Sequence, residues 1–143
     1  MEVNGFPFMS ARAVVIHELA HARAALAAAA ELGRPVELWS APAAAASAGA
    51  GWFQAVIRLA LDGRSDAGVT AVLDCGDRAD LVQAALRQGL LHVCYRGPAD
   101  VARRLADIAG QLGATLHRKR PPALDLLYCD KVESACRTWL GGD

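Results

Sequence analysis

VTAVLDCGDRADLVQAALRQGLLHVCYRGP, residues Val69 to Pro98, is the stretch that decides the fold. Val69 to Cys75 is a short apolar run rich in β-branched residues, and it ends on a carboxylate, Asp74. Asp77 and Asp80 follow with capping-box-like spacing. Leu81, Val82, Ala85 and Leu86 then recur at the spacing of one helix face. Gly89 closes that helix, Leu90 to Tyr95 is a second apolar run, and Pro98 stands where proline opens a helix. Parallel strands need a crossover of a dozen or more residues, usually a helix, and these residues supply one.

The same rhythm extends in both directions. Upstream, Arg12 to His17 reads as a strand and Glu18 to Leu32 as a helix with Gly33 at its left-handed cap. Pro35 to Ser40 is a strand, and Trp52, Phe53, Val56, Ile57 and Ala60 mark a helix face. Downstream, Val101, Leu105, Ile108 and Leu112 carry a helix to Gly113, and Ala114 to His117 is a fifth strand. Pro121 and Pro122 break the chain. Asp130 to Leu140 forms a last helix with Val132, Ala135, Cys136 and Trp139 inward.

Apolar runs alternating with helices imply a parallel sheet covered on its faces. The expectation is a single-domain, three-layer α/β sandwich over residues 1–143. Its sheet is mainly parallel, five-stranded and flavodoxin-like, with strands near 12–17, 35–40, 69–75, 90–95 and 114–117 and a C-terminal helix at 130–140. A barrel fragment closed only by oligomerisation is the alternative.

Composition narrows the function. The chain has 143 residues, with 15 basic and 15 acidic side chains. Apolar residues are 54%, although 31 residues are alanine. That hydrophobicity excludes a disordered chain. The charge balance argues against a nucleic-acid partner, which would need a basic surplus. Met1 to Ser10 lacks the basic leader of a secretory signal. The uncharged run Leu38 to Ile57 is too polar and too broken for a membrane span. A cytoplasmic protein is expected. Cys75, Cys94, Cys129 and Cys136 have no metal or redox pair spacing and read as reduced, mostly buried thiols.

Ligands of open α/β sheets bind beyond the carboxyl ends of the strands. That edge collects His17 and Glu18, Ser40, the run Asp74-Cys75-Gly76-Asp77-Arg78, Arg96 and Gly97, and His117-Arg118-Lys119-Arg120. Cys75 beside a helix start would have its thiolate stabilised. The small-residue loop Ser40 to Gly51 could admit an anion to backbone amides. Gln54 occupies the third glycine position of a dinucleotide fingerprint and no phosphate-loop motif is present, so no cofactor is expected.

Two resemblances add to this reading. His17-Glu18-Leu19-Ala20-His21 fits HExxH and resembles the zincin metalloproteases; the resemblance implies His17 and His21 as zinc ligands and Glu18 as general base. Residues 77–109, with Gly89, Leu90 to Tyr95, Arg96 and Pro98, resemble the final units of response-regulator receiver domains. Arg96 replaces that family's lysine, and Gly97 is inserted before Pro98. The likeness therefore implies topology and not phosphotransfer.

The residues favour a soluble domain that binds a small anionic ligand at the carboxyl edge. His17 and Asp74 are the candidate catalytic residues, and Ser40, Asp77, Arg96 and His117 the candidate ligand contacts. In an enzyme, His17 would transfer the proton, because imidazole changes charge near neutral pH, and Arg96 would hold the anion. A zinc hydrolase using residues 17–21 is one alternative. A non-catalytic homo-oligomeric module, most simply a homodimer, is another, with Trp52, Phe53 and Trp139 as packing faces.

Overall fold

A computed structural model describes residues 10–142. Met1 to Met9, where the sequence is read as lacking a secretory leader, and Asp143 lie outside the described residues. The strands are β1 (Arg12–Val15), β2 (Val36–Trp39), β3 (Val69–Asp74), β4 (His92–Cys94), β5 (Thr115–His117) and β6 (Ala123–Asp125). The helices are α1 (Leu19–Leu32), α2 (Ala44–Ser47), α3 (Ala50–Leu61), α4 (Ala79–Arg87), α5 (Ala99–Gln111) and α6 (Val132–Gly141). Strand order is β5-β4-β3-β2-β1-β6, so β1 to β5 follow one another across the sheet. The α/β class and the parallel sheet are those read from the sequence, with six strands in place of five.

β6 is the strand the sequence reading leaves as loop. It has three residues directly after Pro121 and Pro122, too few to show a period. Proline is compatible with the start of an edge strand, where its missing N–H costs no ladder bond. No helix among the described residues is long and apolar enough to cross a membrane.

The chain divides into two compact units. Of the described residues, the first comprises 10–39, 56–70 and 122–142. In it β1 pairs in parallel with β2 and with β6, Ala13 opposite both Glu37 and Ala123. Alanine spacing gives α1 a wide buried face of Ala22, Ala24, Ala25, Leu26, Ala28 and Ala29. Side chains this small let α6 pack closely, with Gly141 against Leu32. Gly33 ends α1 at φ 63°, a left-handed cap that glycine adopts without Cβ strain. The indole N–H of Trp139 donates to the Ala13 carbonyl at 2.9 Å, and the Arg12 guanidinium lies 4.9 Å from its ring. Trp139 of α6 thus contacts β1 while staying half-buried, and Phe53 of α3 is fully buried.

The second unit comprises residues 40–55 and 71–121. β4 pairs in parallel with β3 and β5, Cys94 opposite Asp74 and His117. Val72, Leu73, Val93 and Tyr95 are buried, with Val82, Ala85 and Leu86 of α4 and Ala102, Leu105 and Ala109 of α5. Each large apolar side chain buried in this way contributes about 1.5–3 kcal/mol. Among the described residues formal charge is split unevenly: eight basic and five acidic here, seven basic and eight acidic in the first unit.

Candidate functional site

Asp74 is the centre of the second unit's carboxyl edge. It ends β3 fully buried, where an unpaired carboxylate would be very costly. Its Oδ1 accepts from the Gly76 N–H (2.7 Å), the Ala43 N–H (3.1 Å) and Arg96 Nη2 (3.1 Å). Its Oδ2 accepts from Arg96 Nε (3.2 Å) and Arg120 Nη1 (2.9 Å). Burial pushes the carboxyl pKa up, but Arg96, Arg120 and the two backbone amides outweigh burial and hold it below the ordinary value of 3.8. The Asp74 hydrogen bonds raise the Arg96 pKa in return.

The backbone is built around this carboxylate. The Asp74 N–H donates to Ser40 Oγ at 2.9 Å, and the Ser40 hydroxyl donates to the Ala41 carbonyl at 3.0 Å. Ala43, which aims its N–H at Asp74, holds a left-handed φ of 56°, uncommon for a residue with a Cβ. The Arg96 N–H donates to the Gly76 carbonyl at 2.7 Å, joining the loops after β3 and β4. Tyr95 is buried beneath Gly97, and a Cβ on Gly97 would overlap its hydroxyl. Arg118 donates from Nε to the Tyr95 carbonyl (3.1 Å) and from Nη2 to the Gly97 carbonyl (2.7 Å), the residues on either side of Arg96.

Of the expected site residues, Ser40, Asp74 and Arg96 come together here. Ser40 is fully buried, and its hydroxyl oxygen braces the Asp74 backbone. Asp77 is exposed and does not cap α4: Arg78 is the cap residue and pairs with Asp80 at 2.8 Å. His117 Nε2 lies 3.0 Å from His92 Nδ1. Cys75 is buried, and desolvation pushes its pKa up to about 12, so it remains a thiol at neutral pH and gains no thiolate from the nearby helix start. Arg120 and the amides of Ala43 and Gly76 were missed. The available signal was Asp74 itself: a carboxylate closing a buried strand demands cations, and the basic run 118–120 follows the fifth strand.

His17 belongs to the first unit, at the bend between β1 and α1. Its Nε2 lies 2.6 Å from Oδ1 of Asp125, the last residue of β6. That same oxygen accepts from the Leu127 N–H at 3.0 Å and caps the short 3-10 turn Leu126–Tyr128. The His17 N–H donates to His21 Nδ1 at 3.0 Å. Burial lowers the His21 pKa, a shift opposed by Glu18 and Asp125 and reinforced by His17. HExxH is therefore split: His17 precedes the helix and only His21 lies on it, unlike the helix-borne pair that the zincin resemblance implies. The reason is local. Val14-Val15-Ile16 stays extended, and the Ile16 N–H still donates to the Trp39 carbonyl at 2.9 Å, so α1 starts only at Leu19. Among the described residues no group of three His, Cys, Asp or Glu side chains is placed to hold a metal ion.

No protein-family model matches the chain, and no curated protein matches it.

Proposed function

We propose that the second unit binds a small anion at its carboxyl edge, through Arg96 and Arg120 held in place by Asp74. One observation carries this reading: two guanidiniums converge on one fully buried carboxylate, so the cluster keeps a positive charge after its internal pairing. Arg96 spends Nε and Nη2 on Asp74, while its side chain stays 37% exposed. A guanidinium held along one edge is a rigid fork, the geometry that matches a carboxylate or phosphate. The basic surplus of the unit favours the same sign of ligand. In this reading Asp74 is a positioning group and not a proton carrier, because every donor around it stabilises its charged form.

The test is thermal denaturation against phosphorylated and carboxylated metabolites at matched ionic strength. A ligand at a hundred times its Kd stabilises the folded state by about 2.7 kcal/mol. The expected result is a rise in Tm with at least one anion that Arg96→Gln abolishes and Arg103→Gln, an exposed change on α5, leaves intact. Equal shifts with all anions, or shifts that survive Arg96→Gln, would overturn the reading.

A further inference from the structure

We propose that His92 and His117 form a two-nitrogen seat for a divalent transition-metal ion, copper foremost; the site is independent of the anion-binding reading above. Sheet register makes the pair. β4 and β5 run in parallel, with His92 opposite Thr115 and Cys94 opposite His117. Residues two apart on a strand share a face, so His92 and His117 stand on one face as diagonal neighbours. Their rings are tilted at 40° to one another, and His92 Nδ1 lies 3.0 Å from His117 Nε2. Both residues keep part of their surface in solvent.

That separation decides the chemistry. Imidazole nitrogens bind a divalent metal such as zinc at about 2.0–2.1 Å, so two of them 3.0 Å apart meet one ion at about 91–97°. This is the cis angle of a square-planar or tetragonal centre, narrower than the tetrahedral angle of a zinc site. Nitrogen donors in that array are those of Cu(II) or Ni(II), and Cu(II) heads the affinity order. Magnesium and calcium would require oxygen donors. In the neutral pair one of the two facing nitrogens carries a hydrogen. On coordination that ring takes its other tautomer, so both lone pairs meet the ion. The lone pairs must also turn from the line between the nitrogens toward an ion beside it, and the broad χ2 torsion of histidine allows this. Among the described residues no third His, Cys, Asp or Glu joins the pair as a ligand, so water or an incoming donor fills the remaining positions.

The experiment adds copper sulfate to the 15N-labelled full chain in a buffer that does not bind copper, and follows the ring nitrogens of the chain's four histidines. Copper below one equivalent is expected to broaden the His92 and His117 ring signals beyond detection while those of His17 and His21 persist. Electron paramagnetic resonance of the same sample is expected to show two equatorial nitrogens. Removing one donor, in His92→Gln or in His117→Gln, is expected to weaken copper binding on the order of a hundredfold, the gain from a second tethered donor. Zinc is expected to bind the unaltered chain at least about tenfold more weakly than copper. Broadening of all four rings alike, a single bound nitrogen, or a Kd unchanged in both variants would overturn the site. Zinc binding as tightly as copper would overturn the choice of metal and leave the two-histidine seat standing. The ring signals of the unaltered chain decide the matter even where a variant fails to fold.

Discussion

Two aspartates close strands in this molecule, and they are treated differently. Asp74 ends β3 fully buried and receives five hydrogen bonds, three from guanidiniums and two from backbone amides. Asp125 ends β6 with its side chain 32% exposed and takes one imidazole and one amide. Asp125 keeps access to solvent for the rest, whereas only protein reaches Asp74. Desolvation sets the number of donors: the buried carboxylate recruits residues from four loops, while the half-buried one takes two donors. Asp74 is consequently an organiser of other groups, and Asp125 a local partner for His17.

The largest expected effect tests that contrast directly. Asp74→Asn leaves Arg96 and Arg120 without their anion and should cost about 3–5 kcal/mol in urea unfolding, as for the loss of one partner of a buried pair. Asp125→Asn should cost less, about 1 kcal/mol, because its half-buried pair keeps contact with solvent. Equal losses would break the comparison.

Next comes pH. The folded pKa of Asp74 lies below its unfolded value, so its stabilisation is complete above the ordinary 3.8 and is lost as pH falls through the folded value. An acid-unfolding profile should lose this limb in Asp74→Asn and keep it in Asp125→Asn.

Gly97→Ala sharpens the view of the loop that carries Arg96. The added methyl overlaps the Tyr95 hydroxyl, and overpacking of this kind costs about 1–3 kcal/mol. Gly63→Ala, where nothing lies within 4 Å but φ is 76°, isolates the backbone share of such a change. The smallest effect has the opposite sign. Ala43→Gly relieves a left-handed residue and should stabilise by about 0.5 kcal/mol, the strain relief being partly offset by the entropy glycine loses on folding. A loss of stability there would mean that the Ala43 methyl, packed near Gly76, contributes more than its strain costs.

The fold was legible where a period could repeat. β1 to β5 fall within the runs read as strands, and α1 spans Leu19–Leu32 with Gly33 as its cap, as the alanine and leucine spacing implied. β6 was not legible, because three residues after two prolines carry no pattern. At the site, Asp74 and Arg96 could be found from strand ends alone. Arg120 could not be singled out from Arg118 and Lys119, since which member of a basic run turns inward depends on the loop's path. His17 was expected at the ligand edge with Asp74; the structure gives it Asp125, a partner 108 residues away on the strand the sequence concealed.

The uneven division of charge reaches beyond the site. A chain of pI about 6.9 carries no net charge near neutrality, and simple ion-exchange logic expects it to pass through both kinds of resin. Among the described residues one unit carries three excess positive charges and the other one excess negative charge. At low ionic strength either resin can therefore retain it. Unlike units of neighbouring copies also attract within a screening length of ~10 Å at 0.1 M salt, and further in more dilute salt. Near pH 7 the first additions of sodium chloride should accordingly raise its solubility, a salting-in that a uniformly neutral surface would not show.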